Sequence, residues 1–483
     1  MIDVDEAVLA ADRAHRTRGA SSPTLRRRGL HAIAAGLESG RRELVELAHE
    51  ETHLAAARLE GELTRTIFQL RLLGDESARG VRLGATIDHA DDAWSMGPRP
   101  DLRSTARPVG VVAVFGASNF PFAFSVAGGD TASALAAGCP VVHKAHPAHP
   151  RLARRTAQIV VEALESAGLP PGSFALVEGH QEGVELVRHP LVKAVAFTGS
   201  TAAGRALFDI AAARPEPIPF FGELGSTNPV FVTQAAWERR ASTIAQGYLG
   251  SVALGRGQFC TKPGFLVVPM GAAEVIVAAA EAEESVPSLL LTSGIRRGFE
   301  ESLDDFAALA GVDLLHGGPS QEAAPPLTLL RISADTLFER PELLEREMFG
   351  PASVVVEYRD AEQLAQLAPL VGGQLTSTVH AEDEDDVEAL LGVLADHSGR
   401  IVWNGWPTGV AVTFAQHHGG PYPAATSSTT SVGTAAIDRF QRTVTFQDVP
   451  ARLLPPELRD ENPDGVPQRI DGELPLRADG AGE

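Results

Sequence analysis

Short apolar runs alternate with stretches of helical spacing through the first half of the chain. Val109–Phe115, Val141-Val142, Phe174–Val177 and Val192–Phe197 have the length of buried strands and lie among Gly and Pro residues. Between them, residues 122–137, 150–167, 182–188 and 201–213 carry helical patterns, the alternation that builds a parallel, doubly wound α/β sheet. Upstream, 21–75 predicts helix: Ser22-Pro23 supplies an N-cap followed by proline, and Leu30, Ile33, Ala34 and Leu37 recur on one face. After Pro229 a second helical stretch (236–254) leads through a glycine-rich loop to the strand Phe265–Val268, and a second α/β domain is expected to begin near Gly222. From Leu453 the chain is rich in Pro, Asp, Glu and Gly, the composition of an irregular arm.

Composition narrows the partners. The 483 residues have room for two to four domains. With 41 Lys+Arg against 62 Asp+Glu the formal charge is −21, a field that repels nucleic-acid phosphates and anionic lipid, so neither nucleic acid nor membrane is an expected partner. An anionic small substrate must therefore be held by a few local cations. Two cysteines, Cys139 and Cys260, are too few for a disulfide framework and point to a reducing compartment. The acidic Met1–Glu6 segment and the lack of an apolar stretch of about 20 residues predict a cytoplasmic protein.

Several residues carry candidate chemistry. Cys260 closes the loop Gly255-Arg256-Gly257-Gln258-Phe259-Cys260, where glycines let a ligand approach and a thiol can act as nucleophile. Cys139, in the apolar approach to a strand, reads as a small buried hydrophobe. Glu223 follows Phe220-Phe221 between two glycines, so partial burial is expected to raise its pKa toward a general base's range. Alone it reads equally as a cap or ion-pair carboxylate. Asn119, between a strand and a helix, offers an amide to a developing oxyanion or simply makes a turn.

The segment Gly199-Ser200-Thr201-Ala202-Ala203-Gly204 opens a helix after a strand, a geometry that suits phosphate, although its spacing is neither G-x-G-x-x-G nor a P-loop. Lys144 ends a strand at the sheet edge where such folds place ligands. His146 and His149 share an H-x-x-H spacing, but Pro147 and Pro150 break the turn that would align them, and no metal is expected. His417-His418 offers a cysteine a base, or forms a substrate-facing loop.

In order, Asn119, Lys144, Gly199–Gly204, Glu223, Cys260 and Glu347-Met348-Phe349-Gly350-Pro351 resemble the NAD(P)-dependent aldehyde dehydrogenases over roughly residues 20–450. The resemblance implies an aldehyde dehydrogenase-like fold: a Rossmann-like cofactor domain (1–222, with N-terminal helices), an α/β catalytic domain (223–432) and a segment 433–483 that returns to the cofactor domain and forms an oligomerisation arm. A homodimer or homotetramer is the implied assembly. Cys260 would be the nucleophile, Asn119 with the Cys260 N–H the oxyanion hole, and Glu223 the base for the deacylating water. Lys144, His146, Gly199, Ser200 and Gly204 would hold the cofactor's ribose and phosphates, with Glu347 and Phe349 at the nicotinamide end.

Departures mark a subgroup. The family's acid three residues beyond the strand-ending lysine is Pro147 here, so a 2′-phosphate is not repelled and NADP is the expected cofactor, with NAD as the alternative. Residues 119–138, Lys144–Pro150, Gly257–Gly264, Trp403–Val410 and His418–Pro423 resemble the 2-oxoglutarate semialdehyde (2,5-dioxopentanoate) dehydrogenases, which implies that small aldehyde as substrate. Arg256 and Lys262, beside the nucleophile, are the expected cations for its carboxylate. A long-chain aldehyde served by Phe120, Phe122, Trp403 and Trp406, a catalytically silent scaffold, and a cysteine hydrolase using His417 or His418 are the competing readings.

Overall fold

The computed structural model describes residues 3–17, 22–282, 289–318 and 324–474. Four helices come first: α1 (Val4–Arg16), α2 (Pro23–Ser39), α3 (Arg41–Thr52) and α4 (Ala56–Arg79). The helical stretch expected over 21–75 is thus three helices, because Gly40 and His53, the latter at φ 58°, turn the chain between them; Ser21 lies outside the described residues. Leu30, Ile33, Ala34 and Leu37 are all buried, as their spacing requires. Two strands follow, β1 (Ala85–Asp88) and β2 (Leu102–Pro108).

The expected alternation then appears: β3 (Val111–Phe115), α5 (Gly129–Ala137), β4 (Val141–Lys144), α6 (Pro150–Ser166), β5 (Phe174–Val177), α7 (His180–Arg188), β6 (Val192–Thr198), α8 (Thr201–Ala212) and β7 (Phe220–Glu223). The five strands are parallel in the order β5-β4-β3-β6-β7. Covered on both faces by helices, they read as continuous apolar runs; every residue of β3 is buried. The C-terminal ends of β3, β4, β6 and β7 therefore share one edge, where an open α/β sheet places its ligands.

One expectation here fails. Residues 122–128 are turns, and the helix begins only at Gly129. The Glu62 carboxylate, reaching over from α4, accepts the N–H groups of Phe122 and Ala123 at 2.8 and 2.9 Å. Local apolar spacing could not reveal that a distant side chain would take those donors.

Beyond β7 the chain leaves this sheet and builds a second: β8 (Val230–Val232), α9 (Gln234–Ala253), β9 (Phe265–Pro269), α10 (Ala273–Ala282), α11 (Ser293–Ala307), β10 (Asp313–His316), β11 (Thr328–Ser333), α12 (Ala334–Glu339), β12 (Ala352–Tyr358), α13 (Ala361–Leu367), β13 (Ser377–His380), α14 (Glu388–His397) and β14 (Ile401–Trp403). Its order is β10-β11-β12-β9-β8-β13-β14, parallel except for β10 at one edge. The chain then returns to pair β15 (Gln441–Gln447) with β2 and β16 (Gln468–Ile470) with β1, a four-stranded sheet in the order β15-β2-β1-β16. Residues 475–483 of the acidic tail lie outside the described residues.

Candidate active site

The glycine-rich loop after α9 holds Cys260 by backbone contacts. Gly257 has φ 64°, and a Cβ there would lie 2.0 Å from the Gly350 carbonyl, so only glycine lets the Cys260 loop and the Glu347–Pro351 loop approach this closely. Asn228, just before β8, donates through Nδ2 to the carbonyls of Cys260 and Lys262 at 2.8 and 3.0 Å. The Gln374 side-chain oxygen in turn accepts the N–H groups of Thr227 and Asn228. These positioning residues escaped sequence reasoning; an Asn-Pro pair alone reads as a turn.

Glu223 ends β7, and the returning segment 417–432 lies beside it. Leu224 N–H donates to the Ala424 carbonyl and Gly222 N–H to the Thr426 hydroxyl. This brings His418 and Ser431 to the carboxylate: His418 Nε2 is 2.9 Å from Glu223 Oε1, and Ser431 Oγ donates to Oε2 at 2.8 Å. His418 Nε2 also lies 3.7 Å from Cys260 Sγ. Asn119, after β3, donates through Nδ2 to the Gln258 carbonyl at 2.9 Å, two residues from the thiol, and keeps a second amide hydrogen for another acceptor.

The titrations follow from this packing. Burial, then the charge of Glu223, pushes the Cys260 thiol well above its ordinary value. Burial also pushes the Glu223 carboxyl up, but the charge and hydrogen bond of His418 and the bonds from Ser431 and Cys260 outweigh it, and the result is lower than an ordinary carboxyl. The expected rise at Glu223 is therefore reversed, because burial arrives together with partners that stabilise the anion. Among the described residues, Glu223, Cys260 and His418 are the group of three potential metal ligands, their ligand atoms all within 4.8 Å. His149 is occupied elsewhere, with Nε2 against the Ala117 carbonyl.

A cavity of about 440 Å³ opens beside these groups. It is lined by Cys260, Glu223 and Asn119, by His146, Gly199 and Ser200 at the ends of β4 and β6, and by Glu347 and Phe349. Ser200 caps α8, its hydroxyl accepting from the Ala203 N–H. Lys144 and Gly204 are outside the lining: Lys144 is half-buried near the charge of Glu182, and a Cβ on Gly204 would strike Leu224. Glu347 is half-buried and is pushed up to about 7 by desolvation, offset in part by Lys262, which burial lowers to about 8.

Lys262 corrects another expectation. Its Nζ donates to the Met348 and Ala352 carbonyls at 2.9 and 2.5 Å, so it ties down the Glu347–Pro351 loop and does not face the cavity. Arg256, at φ 64°, is also outside the cavity lining. Of the aromatics suggested for an apolar tunnel, Phe122 is in the core and Trp406 packs on Tyr248 and His380, while Phe120 stays near the site against Phe259.

The profile of the aldehyde dehydrogenase family matches residues 2–289, more than half of the sequence. The chain belongs to the aldehyde dehydrogenase family. This aldehyde dehydrogenase is 40% identical over 480 residues to the alpha-ketoglutaric semialdehyde dehydrogenase of Acinetobacter baylyi, a match covering 98% of the chain and 91% of that protein. It is 42% identical over 481 residues to alpha-ketoglutaric semialdehyde dehydrogenase 2 of Azospirillum brasilense, covering 97% and 91%. The solved gamma-glutamyl-gamma-aminobutyraldehyde dehydrogenase of Burkholderia cenocepacia shares its fold, with a TM-score of 0.78 at 23% identity, covering 92% of this chain and 88% of that one.

The aldehyde dehydrogenase reaction uses NAD(P), and the residues present fit such a group. The cavity volume lies within the range of cofactor sites, and a capped helix N-terminus with Gly199 and Ser200 opens onto it. A Cβ at Gly225 would lie 2.7 Å from Glu347 Oε2, so glycine there leaves room for the carboxylate that lines the same space. Among the described residues no helix is long and apolar enough to cross a membrane.

Proposed function

We propose that the chain oxidises 2,5-dioxopentanoate to 2-oxoglutarate with NADP, using Cys260 as nucleophile. The observation that carries the chemistry is the convergence of Cys260, Glu223 and Asn119 on one cavity, with His418 against both the thiol and the carboxylate; the near-full-length likeness to two alpha-ketoglutaric semialdehyde dehydrogenases supports the substrate. The thiol proton passes to the Glu223–His418 pair and Sγ bonds to the aldehyde carbon. The new oxyanion takes the free hydrogen of Asn119 Nδ2 and the Cys260 N–H. Ser200, Gly199, His146, Glu347 and Phe349 would hold the nicotinamide cofactor, which when bound accepts a hydride, two electrons, from that carbon. The thioester left on Cys260 is attacked by a water whose proton Glu223 takes; the carboxylate product departs and the thiol is restored.

His146 supports NADP as the preferred form. Burial lowers it to about 3, so a neutral imidazole lines the cavity, and Pro147 next to it carries no charge to repel a 2′-phosphate. The opposing charge is Glu182, next to Lys144. Formation of reduced cofactor is measured with 2,5-dioxopentanoate, hexanal and a long-chain aldehyde, each with NADP and NAD. The semialdehyde is expected to lead in kcat/KM, with NADP ahead of NAD by about tenfold or more, the effect of one charge contact. A long-chain lead replaces the substrate reading, and an NAD lead removes the cofactor one.

A homo-oligomer belongs to the same reading. Strands β15 and β14 each end a sheet, and an unpaired strand edge is a template for another chain. Light scattering of the purified protein is expected to give a dimer or tetramer mass; a monomer at micromolar concentration overturns it.

A further inference from the structure

In a chain of net charge −21, the carboxylate of a semialdehyde needs a local cation, and the cations near Cys260 are not equally free to supply one. Lys262 is committed to two loop carbonyls. Arg400, whose charge acts on Cys260, donates to Thr376 Oγ1, the Gly409 carbonyl and the Pro407 carbonyl. Arg58 also has a buried Nη1 without a hydrogen-bond partner, but its Nη2 donates to the Asn119 carbonyl at 2.6 Å and fixes the oxyanion loop.

Arg65 differs. One turn along α4 from Glu62, it lays its guanidinium over the Phe124 ring, 5.4 Å from the centroid, and its Nη1 is buried without a hydrogen-bond partner. Phe124 packs on His418 with ring centroids 6.1 Å apart, and His418 meets Cys260 Sγ, so one side chain separates Arg65 from the catalytic pair. Its charge is felt by both Glu223 and Cys260. Arg58 and Arg65 both act on the buried Glu62 carboxylate of the same helix, and Arg65 also on Glu223. A buried guanidinium N–H without an acceptor is unfavourable unless something else supplies one.

We propose that Arg65 receives the substrate's carboxylate and so sets the preference for aldehydes carrying an acid at the far end. This rests on the semialdehyde reading above. A five-carbon chain with bonds near 1.5 Å spans about 5–6 Å from aldehyde carbon to carboxylate, the length that would reach from Cys260 past His418 and Phe124 toward the Arg65 guanidinium. Phe124 under the guanidinium holds its plane while leaving its N–H edge for a carboxylate.

The test compares kcat/KM for 2,5-dioxopentanoate and for pentanal, equal in carbon count but uncharged, in the wild type, Arg65→Met and Arg65→Lys. The ratio of the two is expected to fall about 30- to 100-fold in Arg65→Met, the loss of a charge-assisted contact, with most of the change in KM for the semialdehyde. Arg65→Lys is expected to recover part of the ratio and, by keeping the charge, covers the case in which Arg65→Met does not fold. If the wild type prefers the semialdehyde but neither variant changes the ratio, Arg65 is not the clamp and the substrate reading stands. If the wild type prefers pentanal, the substrate reading fails and the clamp with it.

Discussion

Replacing Cys260 with alanine is expected to slow aldehyde oxidation by about 10⁵-fold or more, the scale of removing a covalent nucleophile that acts as a unit with its base. The side chain stands at the junction of three constraints: the Gly257 contact with Gly350, the Asn228 amide on its carbonyl, and His418 beside its sulfur. The first two do not depend on the sulfur itself, so alanine keeps the loop. Steady-state formation of reduced cofactor measures the loss, and quenching of intrinsic fluorescence measures cofactor binding, which is expected to persist because Ser200, Glu347 and Phe349 are untouched. Turnover within a hundredfold of wild type would place the nucleophile elsewhere.

The second large effect belongs to the Glu223–His418 pair. Glu223→Gln removes the base, and steady-state turnover is expected to fall by about 10²–10⁴-fold. A burst of about one reduced cofactor per site should remain if thioester hydrolysis is the step that fails. His418→Ala acts through Glu223. The carboxyl now lies lower than usual because His418 and Ser431 outweigh burial; without His418, burial dominates and the carboxyl rises. A carboxyl that rises is protonated at higher pH, so the acid limb of kcat should move upward. An acid limb unchanged in His418→Ala would mean that His418 does not set the ionisation of Glu223.

Much of the cofactor half was legible in the chain. A parallel strand covered on both faces has no polar alternation, so Val111–Phe115 and Ala194–Phe197 announced themselves as uninterrupted apolar runs, with helices between them set by caps and spacing. The catalytic half was less so. Phe265–Pro269 showed the same signature, but the edge strand Asp313–His316 lacks it because water covers part of it. At 122–128 the local pattern favoured helix, and a carboxylate from α4 overrode it.

At the site, residue types were readable and partnerships were not. Cys260, Glu223 and Asn119 stand out because a thiol, an acid and an amide each occupy a glycine-flanked loop or strand end. Lys262 looked like a substrate cation from its place two residues after the cysteine, yet its ammonium turns to the carbonyls of a loop about 90 residues away. His418 was one of two adjacent histidines with nothing in the sequence to prefer it. A separation of 195 residues lies between it and Glu223.

The sequence by itself determined the alternating α/β plan, the glycines that permit close approach, and the set of reactive side chains, because backbone preferences and apolar spacing act over a few residues. Only the tertiary structure decided which acid meets which base, that Glu223 ionises more readily and not less, and that Lys262 turns to a loop and away from the cavity. Those outcomes depend on burial and charge at distances of a few ångströms between groups far apart in the chain, where a buried partner changes both the direction of a titration and the orientation of a side chain.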